Sequence, residues 1–281
     1  MLKNILILSI LILTAACFNT YSQNLKVIEE KTFQIQPGKN LKVDASGGGV
    51  TITSWDKNEV NIKILGNEKA KDKMKFEFKN DDDKVEVIAK RKHWLTGWFS
   101  NGIKLRIEIT VPKNFNTNVQ TGGGGISVQD ISGNINLSTS GGGITFKDVS
   151  GKFNVSTSGG GITGINFHGD LDASTSGGGI SLSGRDSKIK AETSGGSISL
   201  DYEGVNKGIY LSTSGGGIRI NLPEDFNASA KLSTSGGRVS CNLTANNVKR
   251  ISSTKFVADL NKGGNLLYAE TSGGSITVSK K

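Results

Sequence analysis

Apolar and polar residues alternate along most of the chain after residue 22, and this alternation predicts β-strands because successive side chains of a strand point to opposite faces. The segment 134–151 shows the pattern in one unit: Ile135 and Leu137 alternate with polar residues, and Ile144 and Phe146 do the same after a run of glycines. We expect the glycines to supply positive-φ corners between the strands. The unit is therefore a strand, a corner and a second strand.

This unit recurs along the chain, and the aliphatic residue after the glycines marks its period. The first five of these positions are 18 residues apart, and the full series is Ile126, Ile144, Ile162, Ile180, Ile198, Ile218, Val239 and Ile276. One unit cannot bury its apolar face alone, so units must stack. The fold class predicted is all-β, a parallel β-solenoid with two strands in each coil of about 18 residues.

The stacking predicts two inner columns of apolar residues. One column contains the aliphatic residues after the glycines, and the other is expected to contain Leu137, Val155, Leu171, Ile189, Leu211, Leu232 and Leu267. The long last step predicts a coil without glycines through 255–260. About nine coils from Asn118 to Lys281 would form a rod on the order of 40 Å long at ~4.8 Å per coil.

Residues 23–117 are less repetitive than residues 118–281. The segment 41–52 has the strand, glycine, strand pattern and is expected to be the first coil. Longer strands follow it, and we interpret them as an antiparallel cap or excursion that protects the end of the stack. The predicted division is a signal peptide at 1–22, a first coil with a β cap at 23–117 and the Gly-rich solenoid at 118–281.

The first residues have the order of a secretory signal peptide: a lysine, an apolar run over 5–13, then small and polar residues. Cleavage is expected after Ser22, and lipidation of Cys17 is the alternative. Export would place the protein in the periplasm, at the outer membrane or on the cell surface. After cleavage at Ser22, Cys241 would be the remaining cysteine, and its alternating neighbours predict a buried small hydrophobe.

The formal net charge of +9 raises the possibility of a nucleic-acid partner. Export and the dispersal of the lysines argue against that partner. The sequence instead favours a solvated surface with weak attraction to anionic cell-surface polymers.

Four Ser-Gly-Gly-Gly-Ile units lie at 140–144, 158–162, 176–180 and 214–218, behind a Val-Pro-Lys segment at 111–113. In these motifs the chain resembles the DUF4097 family of adhesin-like proteins, and the resemblance covers nearly all of the mature chain. It implies a Gly-rich β-solenoid and a role in surface adhesion. It carries no active-site residues over to this sequence.

The repeats lack the sequence motifs of metal-binding and cofactor-binding sites. A calcium-binding β-roll needs an aspartate at a fixed offset from the glycines, and Asp148 is not repeated in the units that follow. His93 and His168 have no second ligand nearby in sequence. The glycines are not followed by the helix that a phosphate loop requires. We expect no calcium, no other metal and no cofactor.

Two further functions do not fit the repeat. A carbohydrate-active enzyme needs clustered carboxylates, whereas the outer positions are mostly Ser, Asn, Thr and Lys, so no catalytic residue is expected. Ice binding needs outward threonine pairs, but the alternation turns the threonines inward. They are predicted to form a hydrogen-bonded ladder beside the glycines: Thr139, Thr157, Thr175, Thr193, Thr213, Thr234 and Thr271.

One apolar stretch is out of phase with the core and is interpreted as a hairpin tip. It could stack on sugar rings or enter a lipid surface while basic residues attract anionic groups. The alternative, favoured by the need of solenoids for caps, is that the tip covers the end of the stack. The candidate ligand-binding residues are Lys90, Arg91, Lys92, Trp94, Trp98 and Phe99.

Together these features predict a non-enzymatic, exported, adhesin-like solenoid. It would bind a surface polymer, glycan, matrix or cell component through many weak and repeated contacts. The alternative is a periplasmic structural or regulatory envelope protein that binds another protein.

Overall fold

The computed structural model describes residues 25–92 and 102–281. The predicted signal peptide and Cys17 lie outside these residues. In the described residues of the N-terminal part there are seven strands and one short helix: β1 (Lys26–Gln34), β2 (Asn40–Ala45), β3 (Gly49–Trp55), β4 (Glu59–Gly66), α1 (Glu68–Lys73), β5 (Met74–Asn80), β6 (Lys84–Arg91) and β7 (Leu105–Pro112). Within the described ranges, no helix is both long and apolar enough to cross a membrane.

The remaining strands form the repeats and their C-terminal end. The repeats contain β8 (Asn116–Thr121), β9 (Ile126–Gln129), β10 (Ser132–Thr139), β11 (Ile144–Thr157), β12 (Ile162–Thr175), β13 (Ile180–Arg185), β14 (Ile189–Thr193), β15 (Ile198–Glu203), β16 (Ile209–Thr213) and β17 (Ile218–Leu222). The C-terminal end contains β18 (Ala228–Thr234), β19 (Val239–Cys241), β20 (Ala245–Ile251), β21 (Lys255–Leu260), β22 (Leu266–Thr271) and β23 (Ile276–Lys280).

The coils stack through parallel, in-register strands, as the repeat predicted. We call the face formed by β2, β6, β8, β10, β14, β16, β18, β22 and the C-terminal halves of β11 and β12 the first face. The other strands of the coils form the second face. On the second face Ile126 pairs with Ile144, which pairs with Ile162, and the column continues to Ile276 and Val239. The predicted isoleucine column is confirmed.

The predicted column on the first face is wrong, because it combines two columns. Val155 pairs with Ala173, while Leu171 pairs with Phe153. One column therefore contains Leu137, Val155, Ala173, Ala191, Leu211, Ala269 and Leu232, and the other contains Ile135, Phe153, Leu171, Ile189, Ile209, Leu267 and Ala230.

Large rings in the core pack over glycines of the next coil. A Cβ atom on Gly164 would lie 2.4 Å from the ring of Phe146, and one on Gly184 would lie 2.6 Å from the ring of Phe167. Phe146 and Phe167 also meet edge to face, with their centroids 5.7 Å apart. The core is filled by pairing large and small residues in neighbouring coils.

The order of coils along the rod differs from their order in the sequence at both ends. The coil of β22 and β23 lies between the coil of β16 and β17 and the coil of β18 and β19. The coil of β2 and β3 lies between the coil of β6 and β7 and the coil of β8 and β9. The segment 41–52 is therefore an interior coil, which corrects the expectation that it begins the stack.

Antiparallel strands cover both ends, so an N-terminal cap is present as predicted. Two of the strands assigned to that cap, β6 and β7, instead pair in parallel with β2 and β3 and form a coil of the stack. At the N-terminal end β5 pairs with β6, and β4 pairs with β7 and β1. At the C-terminal end β21 pairs with β18 and β20 pairs with β21. The segment 255–260 is thus an antiparallel strand and not a coil without glycines, and this hairpin accounts for the long last step of the repeat.

The central glycine of each triplet is required by close approach between coils. A Cβ atom on Gly142 would lie 2.3 Å from the carbonyl oxygen of Gly124, and one on Gly160 would lie 2.2 Å from that of Gly142. The third position is less crowded, with 3.2 Å at Gly143, and it holds Ser197 in a later coil. None of the glycines at 141–143 has a positive φ, so the expected left-handed corner is wrong here.

Left-handed backbone occurs at the opposite corner instead. Asp130, Asp148 and Asn166 have φ of 60°, 52° and 50°, and Gly133 and Gly151 follow them with φ of 147° and 128°. Asp and Asn tolerate this conformation because their side chains bond locally. The chain turns between the faces at these residues.

Candidate binding face

The outward surface of the first face contains a shallow groove of about 370 Å³. Its floor comes from alternate residues of consecutive coils, whose neighbours Val119, Leu137 and Val155 point into the core. We call these outward residues the amide groove: Asn118, Gln120, Asn136, Ser138, Asn154, Ser156, Asp172 and Ser174.

The register aligns identical side chains in the amide groove. Asn118 lies beside Asn136, which lies beside Asn154. Asn154 Nδ2 donates to Asn136 Oδ1 at 2.9 Å, and Ser156 Oγ is 3.3 Å from Ser138 Oγ. Each amide has two donor hydrogens and an acceptor oxygen, so the bond between Asn154 and Asn136 leaves further donors and acceptors directed at solvent.

A second depression of about 270 Å³ continues the groove toward the N-terminal cap and shares Asn118 and Asn136 with it. Asn116 Nδ2 donates to Asn40 Oδ1 at 3.2 Å. Asn116 Oδ1 accepts the backbone N–H of Asn134 at 2.9 Å. The polar strip therefore extends over consecutive coils as one surface.

Charged residues border the groove and are paired with one another. At the N-terminal side Glu86, which is only 6% exposed, lies 2.8 Å from Lys42 and 3.6 Å from Lys84. The hydrogen bond from Lys42 holds the pKa of the Glu86 carboxyl below its usual value, against the opposing effect of burial. At the other side Lys190 lies 2.8 Å from Glu192, whose hydrogen bond raises the pKa of the Lys190 ammonium.

Two tyrosines continue the central column of the first face beyond Lys190. Their rings stack on each other, with centroids 4.8 Å apart and planes at 3°: Tyr210 and Tyr268. Lys231 lies over the ring of Tyr268 at 5.5 Å. The Tyr268 hydroxyl donates to Glu270, which raises the pKa of Tyr268 to about 12. Each ring covers one face of the other, so this pair stabilises the ladder of coils.

The basic part of the predicted ligand site lies at the end of β6. Lys90 forms an ion pair with Asp44, and the backbone N–H of Lys92 donates to the carbonyl of Lys73 at 2.9 Å. Arg91 is exposed and pairs across the strands with Met74. Trp94, Trp98 and Phe99 lie outside the described residues, so their role in binding stays a prediction.

The strands on either side of this segment are not hairpin partners. β6 pairs with β2 on the first face, whereas β7 pairs with β3 on the second face. Residues 93–101, on which the prediction of a hairpin tip falls, lie outside the described residues.

The predicted threonine ladder is confirmed. Thr139 Oγ1 donates to the carbonyl of Gly124 at 2.8 Å, and the same bond recurs in the following coils. At the C-terminal end Thr271 donates to Gly216 and Thr234 donates to Gly274, both at 2.6 Å. The ladder thus follows the spatial order of the coils.

Other candidate chemistry is distributed over the surface. Asp148 accepts a hydrogen bond from Asn166 Nδ2 at 2.7 Å. His168 Nδ1 lies 3.2 Å from the carbonyl oxygen of Arg185. Cys241 is half-buried against the core, less buried than predicted, and burial raises the pKa of its thiol. In the described ranges no group of three or more His, Cys, Asp or Glu side chains could hold a metal ion.

The amide groove was not singled out from the sequence, although its signal is present there. Asn118, Asn136 and Asn154 recur at the repeat period in outward positions. The aromatic segment after Lys92 was predicted as the ligand site instead, because aromatic rings can stack on ligands.

Comparison with known proteins gives a family and several structures of low similarity. The model of the family described as Toastrack DUF4097 matches residues 38–279. A "putative cell adhesion protein" from Clostridium sporogenes is 14% identical, with 90% of this chain and 99% of that chain covered and a TM-score of 0.29. A "putative adhesin" from Bacteroides fragilis is 9% identical, with 89% and 96% covered and a TM-score of 0.37.

A third solved structure is a "putative lipid binding protein" from Parabacteroides distasonis. It is 14% identical, with 89% of this chain and 96% of that chain covered and a TM-score of 0.32. No curated protein matches the chain in sequence.

Proposed function

The chain belongs to the Toastrack DUF4097 family, and we propose that it is an exported, non-enzymatic, adhesin-like protein that binds a polymer, matrix or cell component at the cell surface. The observation that carries this proposal is the amide groove. In it the same polar side chains recur in register over consecutive coils. Such an array suits a long partner that is held by many weak contacts.

The carboxylates beside the groove favour binding over catalysis. Glu86 is held ionised by Lys42, and Asp172 and Glu192 both lie within 4.0 Å of Lys190. A glycosidase needs one carboxyl group that stays protonated at its working pH. Paired carboxylates at the margins of a neutral floor do not meet that requirement.

The predicted signal peptide at 1–22 supports export, and lipidation at Cys17 stays the alternative route to an envelope protein. A periplasmic structural or regulatory protein that binds another protein is the second candidate function. The cell surface and the periplasm differ in whether protease added to intact cells can reach the chain.

Protease treatment of intact cells that produce the protein tests the location. An antibody to the mature chain reports digestion, and a known periplasmic protein reports leakage. Digestion with the periplasmic control intact supports a surface adhesin. Protection of the chain would exclude that function and direct the search to periplasmic partners.

Binding of the purified mature chain to intact cells and to extracellular matrix tests adhesion itself. A variant with Asn118→Ala, Asn136→Ala and Asn154→Ala is expected to bind less than the wild type. A second variant with Trp94→Ala and Trp98→Ala examines the aromatic segment separately: lost binding with an unchanged melting temperature indicates a ligand contact, and a lowered melting temperature indicates a cover of the stack.

A further inference from the structure

We infer that the amide groove binds an uncharged polysaccharide chain that lies along the axis of the rod. This inference rests on the proposed adhesin-like function and names the class of its ligand. Three properties of the groove carry it: the kind of hydrogen-bonding groups, the absence of charge on its central floor, and the direction in which the groups repeat.

The floor presents groups that both donate and accept hydrogen bonds. Asn118, Asn136 and Asn154 carry amides, and Ser138 and Ser156 carry hydroxyls. Sugar hydroxyls also donate and accept, so each side of the contact can satisfy the other. Carboxylates or ammonium groups would satisfy only one of these roles.

The central floor is neutral although the chain has a formal net charge of +9. From β8 to β11 the two outward columns of the amide groove contain only Asn, Gln and Ser. At the two ends of the groove, Lys42 pairs with Glu86, and Lys190 pairs with Asp172 and Glu192. Lys152 lies outside these columns, in the neighbouring outward column beside Asn134. An anionic polymer would find no cationic partner within the two columns. A neutral polymer would lose little solvation of charge on binding it.

Equivalent groups recur once in each coil, so they repeat along the rod and across the strands. The spacing of ~4.8 Å between strands is similar to the length of one pyranose in an extended chain. A polysaccharide in this direction would meet an equivalent amide at successive sugars. Individually weak contacts would then add along the chain.

A peptide is a poorer occupant of the same surface. β10 is hydrogen-bonded on both sides, to β8 and to β11, and so offers no free strand edge for an added strand. The outward residues of the floor also form no apolar pocket that could anchor a side chain. The groups that remain available are those that suit sugars.

The test measures binding of the purified mature chain to soluble polysaccharides by affinity electrophoresis and calorimetry, at low and at high salt. The neutral probes are dextran, xyloglucan, arabinoxylan and galactomannan, and the anionic probes are alginate and hyaluronan. We expect binding to at least one neutral probe with little dependence on salt. Anionic binding that weakens steeply with salt and occurs without neutral binding would overturn the inference.

Two groove variants and one control locate the site. The triple variant Asn118→Ala, Asn136→Ala and Asn154→Ala should lose about tenfold or more in affinity because several hydrogen bonds are removed together. Asn136→Lys should also weaken neutral binding. The control with Ser127→Ala, Ser181→Ala and Ser199→Ala, which changes an outward column of the second face, should bind as the wild type does. Equal binding by all variants would overturn the assignment.

The outcome also separates this inference from the proposed function. If the wild type binds cells or matrix but none of the neutral probes, the inference fails and the adhesin-like function stands. If it binds neither, both fail. Circular dichroism and the melting temperature of each variant exclude misfolding as the cause of lost binding.

Discussion

Asn206 and Asn265 exchange hydrogen bonds between side chain and backbone. Asn206 Nδ2 donates to the carbonyl of Asn265 at 2.7 Å, and Asn265 Nδ2 donates to the carbonyl of Asn206 at 2.8 Å. Asn206 precedes β16, and Asn265 precedes β22, the strand that is inserted beside it. This reciprocal pair fixes the position at which the last coil enters the stack.

Replacement of Asn206 by Ala should lower the free energy of unfolding by about 2 to 3 kcal/mol. Asn206 is 6% exposed, and its Oδ1 also accepts the backbone N–H of Gly208 at 2.9 Å, so the change leaves several buried groups without partners. Urea denaturation provides the measurement. Asn58→Ala is the control, because Asn58 is exposed and makes a 3.4 Å side-chain contact; equal losses in both variants would contradict the role of Asn206.

Gly142→Ala should destabilise the protein by about 2 to 3 kcal/mol because its new Cβ atom would meet the backbone of Gly124 at 2.3 Å. Gly143→Ser should cost less than about 1 kcal/mol. At Gly143 the nearest backbone atom is 3.2 Å away, and serine already stands at the equivalent position 197. Thermal denaturation of the two variants measures the difference. A larger loss of stability in Gly143→Ser than in Gly142→Ala would contradict the assignment of the closest contact to Gly142.

This pair of glycines also shows how far the sequence could predict the fold. The repeated glycines gave the register of Ile126, Ile144 and the rest of that column, because a crowded corner tolerates little else. They did not reveal why glycine is needed. A close approach between coils and a positive φ both require glycine, so the sequence does not distinguish them.

The first face was predicted less well, for a physical reason. The column through Val155 continues in Ala173, and the large residue Leu171 belongs to the neighbouring column. A prediction that follows the large apolar residues therefore joins Val155 to Leu171, although these two residues belong to different columns. The inserted coils could not be predicted either, because the repeat motif gives the register within a coil and not the order of the coils.

Thr117→Val should stabilise the protein by about 1 kcal/mol. Thr117 lies in an apolar column between Leu41 and Ile135, and its Oγ1 is buried without a hydrogen-bond partner. Thr139→Val is the matched control and should destabilise by about 1 to 2 kcal/mol, because Thr139 Oγ1 donates to Gly124 at 2.8 Å. Urea midpoints of the two variants should move in opposite directions; a loss of stability in Thr117→Val would contradict the assignment of an unpaired hydroxyl.

Glu86 should make the stability depend on pH in the acid range. Its pKa is lowered in the folded protein, chiefly by the hydrogen bond from Lys42. The stabilisation is therefore complete above the unfolded value near 4.5 and is lost as the pH falls through the lower folded pKa.

The measurement is the urea midpoint of the wild type and of Glu86→Gln from neutral pH to below pH 4.5. The Gln variant should lose less stability on acidification than the wild type, and combining it with Lys42→Gln should leave that profile unchanged. Parallel acid profiles of the wild type and Glu86→Gln would show that this ion pair does not contribute.

The inserted last coil should exchange its amide hydrogens slowly, although it is close to the C-terminus. β22 is hydrogen-bonded to β16 on one side and to β18 on the other, and the side chains of Leu267 and Ala269 are fully buried. Opening this coil requires the loss of the hydrogen bonds to both neighbouring strands, so its exchange should follow global unfolding.

β20 should exchange much faster because it pairs on one side with β21, and its residues, including Val248 and Ile251, are largely exposed. Hydrogen exchange followed by mass spectrometry resolves the two segments, and protection that declined steadily from β18 through to β23 would indicate a stack in sequence order with a fraying end, contrary to the inserted coil.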